Sequence, residues 1–129
     1  VLNDELSILL LYGLLMAVVL VLKTTGMLTQ FDMGYLLSSR DENRSLEGML
    51  GRMDRAINNS VIAMALVTPP ILVIAIRDQS SAHSILAAQI FLAARTIYFP
   101  AYMFRITGLR TLVWLIALIA IFFLYFLAL

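Results

Sequence analysis

The chain contains no cysteine. That removes disulfides, a thiolate nucleophile supplied by the protein and cysteine-ligated metal sites, and it leaves the redox compartment unread. Charge is also scarce. Only 13% of the residues are charged, where a soluble domain carries about a quarter. The formal net charge of +1 offers no basic field for nucleic acid. Against these deficits stands a hydrophobic content of 62%. Together they exclude a soluble domain and imply an integral membrane protein. The first residues, Val1-Leu2-Asn3-Asp4-Glu5, are acidic, and no small-residue cleavage site follows the first apolar run. That run is therefore expected to be a span and not a signal peptide. The start at Val1 is expected to reflect a lost initiator residue or more.

Four apolar runs each approach the ~20 residues that cross a bilayer. They lie at about 6–22, 56–76, 83–99 and 109–129. The expected fold is all-α, one integral membrane four-helix bundle. The stretch from Lys23 to Leu50 is long and polar, Arg77-Asp78-Gln79-Ser80-Ser81-Ala82 reads as a tight turn, and Pro100 to Gly108 is short.

The second helix is expected to start before the membrane. Ser45 is its candidate N-cap, with Glu47 in the first turn favourable to the helix dipole. Leu46, Met49, Leu50, Met53 and Ile57 recur at helical spacing. At about 100° per residue, Arg52, Arg55 and Asn59 share the opposite face, within roughly 60° of one another. Pro69 and Pro70 should kink the span, with Thr68 or neighbouring helices satisfying the freed carbonyls.

Basic residues suggest the orientation. Lys23, Arg40, Arg44, Arg52 and Arg55 flank the first connection, and Arg95, Arg105 and Arg110 flank the third; the other side has Arg77 beside Asp78. The positive-inside bias puts both basic regions in the cytoplasm and both termini outside. Both arginine stretches then lie at one membrane face.

On the third helix Arg95, Tyr98 and Tyr102 share a face by spacing. One reading is an aromatic belt with snorkelling arginines. The other is a site for an anionic ligand, because charge beside a span is costly unless paired, hydrated or bound to something. Polar faces on two helices at one depth favour the second. So does Arg110, which follows Gly108 and Leu109 and can turn back toward that face.

The stretch ARTIYFPAY, then GLRTLVW, together with RMDRAINN, resembles the MAPEG family, the membrane-associated proteins of eicosanoid and glutathione metabolism. The resemblance runs from about Gly51 to the C-terminus. It implies a left-handed four-helix membrane bundle, assembled as a homotrimer, with glutathione between protomers near the cytoplasmic face. It implies conjugation of glutathione to lipophilic electrophiles, reduction of lipid hydroperoxides or isomerisation of prostaglandin endoperoxides. By this resemblance Arg55 and Asn59 hold the glutathione peptide, Tyr98 and Tyr102 line the ligand, Arg95 belongs to the third-helix motif, and Arg110 stabilises the thiolate. The chemistry is coherent: arginine grips carboxylates bidentately, and a cation beside a thiol favours the nucleophilic thiolate.

One departure stands out. Family enzymes carry a glutamate one turn after the asparagine, for the glutathione ammonium. Here that position is Ile62, and no acid occurs between Asp54 and Asp78. Asp54 could substitute from another angle.

Two functions follow. One is a glutathione-dependent transferase or peroxidase acting on a lipophilic small molecule drawn from the lipid bilayer. The other is a non-catalytic scaffold or an accessory subunit with a membrane-complex partner. A transporter fits less well, because the spans lack interior acids. His83 reads as an interfacial residue, the methionines as packing, Asn58 as a possible interhelical hydrogen bonder, 41–44 as a solvated loop, and 112–129 as lipid-facing or trimer-packing surface. The compact form favours a bacterial inner membrane.

Overall fold

The computed structural model describes residues 2–30 and 48–129. Within them the chain forms α1 (Glu5–Gln30), α2 (Gly48–Ile76), α3 (Ala82–Met103) and α4 (Thr107–Ala128). All four are long and apolar enough to cross a membrane. The fold is therefore the expected all-α membrane bundle. The proposed Ser45 cap, Glu47, Leu46 and the 41–44 loop lie outside the described residues.

Helix ends depart from the apolar runs for identifiable reasons. The polar stretch that follows Leu22 is helical as far as Gln30. Lys23 there pairs with Asp54 of α2 at 2.8 Å, which fastens the extension. α3 continues through Pro100 to Met103. The proline lacks a backbone donor and leaves the Thr96 carbonyl without its helical partner. It sits on the exposed side, while its neighbour Ala101 packs inside.

The two short connections use the same stop. At the end of α2, Gln79 N–H donates to Ile74 and Asp78 N–H to Ala75; at the end of α3, Ile106 donates to Ala101 and Arg105 to Tyr102. These are Schellman closures. Their left-handed residues are Asp78 (φ 54°) and Arg105 (φ 61°), not glycines. Ser81 then caps α3, exchanging hydrogen bonds with Ser84 in a capping box. Such short loops make α2, α3 and α4 sequential antiparallel neighbours.

Small residues set the packing. Ala87, Ala88, Ala94 and Ala101 of α3 and Ala117, Ala120 and Ala128 of α4 are buried. Without a hydrophobic drive between helices in lipid, small residues let backbones approach and gain dispersion contacts. α3 and α4 share the largest interface. α2 runs unbroken through Pro69 and Pro70. Thr68 does not reach the carbonyls that the prolines free; its hydroxyl donates to Met64, one residue earlier, at 2.6 Å.

The bundle ends differ. At one, Glu5 is buried, and its carboxylate accepts from Ser80 Oγ (2.7 and 2.9 Å) and Ser84 Oγ (2.6 Å). Arg77 Nη1 donates to the Ala128 carbonyl there. At the other end lie the arginines.

Candidate functional site

The site is built in two layers at the arginine end. The inner layer centres on Arg95. This residue is 1% exposed and lies about 12 Å below the end of α3, at 1.5 Å per residue. It is not a snorkelling surface arginine. Its Nη2 donates to Asn59 Oδ1 at 2.9 Å and to Ser60 Oγ at 2.8 Å, and its guanidinium carbon stands 4.1 Å from the Tyr98 ring centroid. Its Nε is buried without a hydrogen-bond partner.

Helical geometry explains the meeting. Asn59 and Ser60 face α3 from one turn of α2, and Arg95 and Tyr98 face back from successive turns of α3. Tyr12 of α1 closes the layer: its hydroxyl donates to the Ser60 carbonyl at 2.8 Å, and its ring meets Phe91 edge-on at 5.0 Å. Sequence reasoning missed Tyr12 and Ser60. The available signal was an aromatic hydroxyl in the middle of an apolar run, where a tyrosine cannot reach the interface.

The outer layer centres on Tyr102, whose ring lies 5.7 Å from that of Tyr98. Arg55 Nε donates to the Tyr102 hydroxyl at 3.3 Å, and the Arg110 guanidinium stands 4.8 Å over its ring. Arg110 thus does turn back from the start of α4. The structure brings all six singled-out residues, Arg55, Asn59, Arg95, Tyr98, Tyr102 and Arg110, into these two linked layers.

Three neighbours do other work. Arg52 shares a helix face with Arg55, yet its Nε donates to the Met103 carbonyl at 2.8 Å and so caps α3. Asp54 is held by Lys23, which directs its carboxylate to α1 and away from the arginine cluster. Asn58 is exposed on the outer face of α2. Among the described residues the Lys23–Asp54 pair is the one ion pair, so Arg55, Arg95 and Arg110 have no protein counter-anion there.

A cleft of about 110 Å³ opens beside the inner layer, between α2 and α4. Asn59 and Arg95 form its polar part, and Ile62, Leu66, Trp114 and Ile121 are among its apolar walls. A larger apolar groove of about 380 Å³ lies between α3 and α4, from His83 to Phe123, toward the opposite end.

The arrangement can bind anions. It offers a cationic, half-open outer layer, a fixed inner cation and an apolar wall reaching into the membrane. The model of the MAPEG family matches residues 6–129, nearly the whole chain. Searches of curated proteins and of solved structures return no match.

Proposed function

The chain belongs to the MAPEG family of membrane proteins, and on that premise we propose that it binds glutathione at the arginine end and directs the thiol at lipophilic electrophiles, as a transferase or peroxidase. One observation carries this reading. Arg55 and Arg110 converge on Tyr102, and neither has an ion-pair partner among the described residues. Two cations sharing one phenol call for an anion.

The donors fit the anionic groups of the tripeptide. Arg55 and Asn59 would grip its carboxylates, Tyr98 and Tyr102 would line it, and Arg95 would support Asn59 from below. Glutathione, when bound, supplies a thiol as the nucleophile. Arg110 stabilises negative charge on that sulfur, and the thiol proton leaves to water at the open end. In conjugation a sulfur–carbon bond would form at the electrophilic carbon as that carbon's bond to its leaving group or epoxide oxygen breaks, and the departing anion would take up a proton from water at the open end. The ammonium group is the poor fit, because Ile62 is apolar and Asp54 is committed to Lys23.

The assembly is read as a homotrimer. Arg55, Asn58, Ile62, Ala65, Pro69, Leu72 and Ile76 are exposed along α2 at alternating three- and four-residue spacing. That is the spacing of a helix seam awaiting a partner. The basic residues favour a cytoplasmic site, with both termini outside, in a bacterial inner membrane.

Calorimetry of glutathione on the detergent-purified protein tests the reading. Micromolar to low-millimolar binding that disappears in Arg55→Ala is the expected result. Arg110→Gln should abolish conjugation and spare assembly; unchanged turnover removes Arg110 from the mechanism. The second reading, an accessory subunit, draws on Ile62 and the Lys23–Asp54 pair. A stable protein partner in mild detergent, with no glutathione binding by the folded protein, would establish it instead.

A further inference from the structure

Arg95 decides which way the Asn59 amide faces. A guanidinium has donors and no acceptor, so the atom that meets its Nη2 at 2.9 Å is the Asn59 oxygen. The amide nitrogen then points away from the guanidinium, with two N–H groups to give. Asn59 lines the α2/α4 cleft, so it meets a ligand there as a donor. The same polarity holds around it. Ser60, which shares the Nη2 contact at 2.8 Å, gives its hydroxyl proton to the Ala56 carbonyl. Arg95 Nε is a further buried N–H without a partner. Trp114, on the cleft wall, carries a donor only, and the remaining walls are alanine, leucine and isoleucine. The acids of the described residues are Asp4, Glu5, Asp54 and Asp78. Asp4, Glu5 and Asp78 belong to the opposite end of the bundle, and Asp54 is held by Lys23.

These surroundings suit an anionic acceptor and reject an ammonium. A carboxylate takes up N–H groups that otherwise go unmet. An ammonium finds no counter-charge among the described residues. On the second lone pair of the Asn59 oxygen it would stand beside the Arg95 guanidinium, like charge against like. The Tyr98 and Tyr102 phenols can accept a hydrogen bond but are neutral. We propose that this site selects a carboxylate-bearing thiol without a free ammonium group, its amine absent or acylated, and that Asn59, fixed as a donor by Arg95, makes the selection. Glutathione carries the ammonium and is the weaker ligand of the same site. The inference rests on the thiol reading above and narrows it. Arg95 acts here through Asn59, as a positioning residue.

The test is calorimetry on the intact protein in detergent with two thiols. One is glutathione. The other is its des-amino analogue, in which a glutaryl group replaces the γ-glutamyl group, so that both carboxylates and the thiol remain and the ammonium is gone. The analogue is expected to bind at least tenfold more tightly. Asn59→Asp is nearly isosteric, keeps an acceptor for Arg95 and replaces the outward N–H groups with an oxygen. It should bring the two thiols to parity or favour glutathione. A preference that Asn59→Asp leaves unchanged overturns the selection by Asn59. The analogue is also the more anionic of the two, so the wild-type comparison is repeated in about 1 M salt, where the screening length is about 3 Å. The preference should survive above fivefold; collapse to parity assigns it to the general field and overturns the proposal. Glutathione bound as tightly as its analogue by the wild type also overturns it and leaves the glutathione reading standing. Binding of neither thiol by the folded protein is the failure of that reading instead.

Discussion

Tyr102 holds two arginines by two different means, so two substitutions should separate them. The Arg55 contact is a single hydrogen bond to the phenol, and at 3.3 Å it is long. The Arg110 contact is with the ring face, at 4.8 Å from the centroid. Tyr102→Phe deletes the first and keeps the second. A net hydrogen bond contributes about 1 kcal/mol, and a long, exposed one contributes less. Glutathione affinity should therefore fall by no more than about fivefold, with the turnover number little changed. Tyr102→Leu removes the ring, and with it a cation–π contact of roughly 0.5–2 kcal/mol. Arg110 then loses its seat, and the thiolate loses a fixed cation. The turnover number should drop well below that of the Phe variant, although both variants lack the hydroxyl. Calorimetry gives the affinities, the ultraviolet absorbance of bound thiolate gives the ionised fraction, and steady-state conjugation gives the turnover. If Phe lowers turnover as far as Leu, the hydroxyl and not the seated Arg110 carries the chemistry, and the assignment of Arg110 fails.

Other perturbations report on the scaffold. Arg52→Met should lower the thermal midpoint, since it removes a hydrogen bond from a charged donor to the end of α3, about 1.5–3 kcal/mol, yet leave glutathione affinity within twofold, unlike Arg55→Ala; an affinity loss equal to that of Arg55→Ala would put Arg52 in the site. Glu5→Ala strips two hydroxyl donors of their acceptor. Ser84 can turn back to the Ser81 carbonyl, so the cost should be roughly 2–4 kcal/mol, seen as a lower midpoint and faster proteolysis at the Arg77–Ser81 turn. Arg105→Gly relieves a left-handed side-chain clash of about 1–2 kcal/mol, less the entropy of the added glycine; a raised midpoint is expected, and a lowered one would mean that the Arg105 side chain holds the turn.

The spans were legible because length and hydropathy report directly on the bilayer. Site residues on one helix were legible because spacing fixes a shared face: Arg95, Tyr98 and Tyr102 do point the same way. Which way they point was not legible. In a soluble protein a polar face looks outward, but in lipid the outside is as apolar as the core, so the contrast disappears. This is why Arg95 could be read as snorkelling while it lies 1% exposed among three helices. Arg52 and Arg55 show a second limit. They share a helix face, but their long side chains diverge, one to a backbone carbonyl and one to a phenol. Glu5 shows a third. The sequence shows it only as one of the acidic first residues, and only the approach of the α3 start buries it beneath Ser80 and Ser84. Partners supplied by another helix leave no trace in local spacing.

The two ends of the bundle spend polarity differently, and the difference bears on function. At the Glu5 end the buried charge receives hydroxyl donors from the protein itself. Nothing further is needed for a stable helix junction. At the arginine end donors outnumber acceptors: Arg95 keeps an unbonded Nε, and Arg55 and Arg110 lean on a single tyrosine. Stability alone would favour an apolar residue at the place of Arg95, since a buried cation seldom recovers its desolvation cost without a close counter-charge. Retaining it is intelligible if the missing acceptors arrive with a ligand. The folded protein should then gain stability from an anion at this end in proportion to its occupancy, as RT ln(1 + [L]/Kd) requires, and the Arg55→Ala protein should lose most of that gain. A midpoint that glutathione leaves unmoved, in protein that is otherwise folded, would show that the donor excess is structural and that glutathione does not complete it.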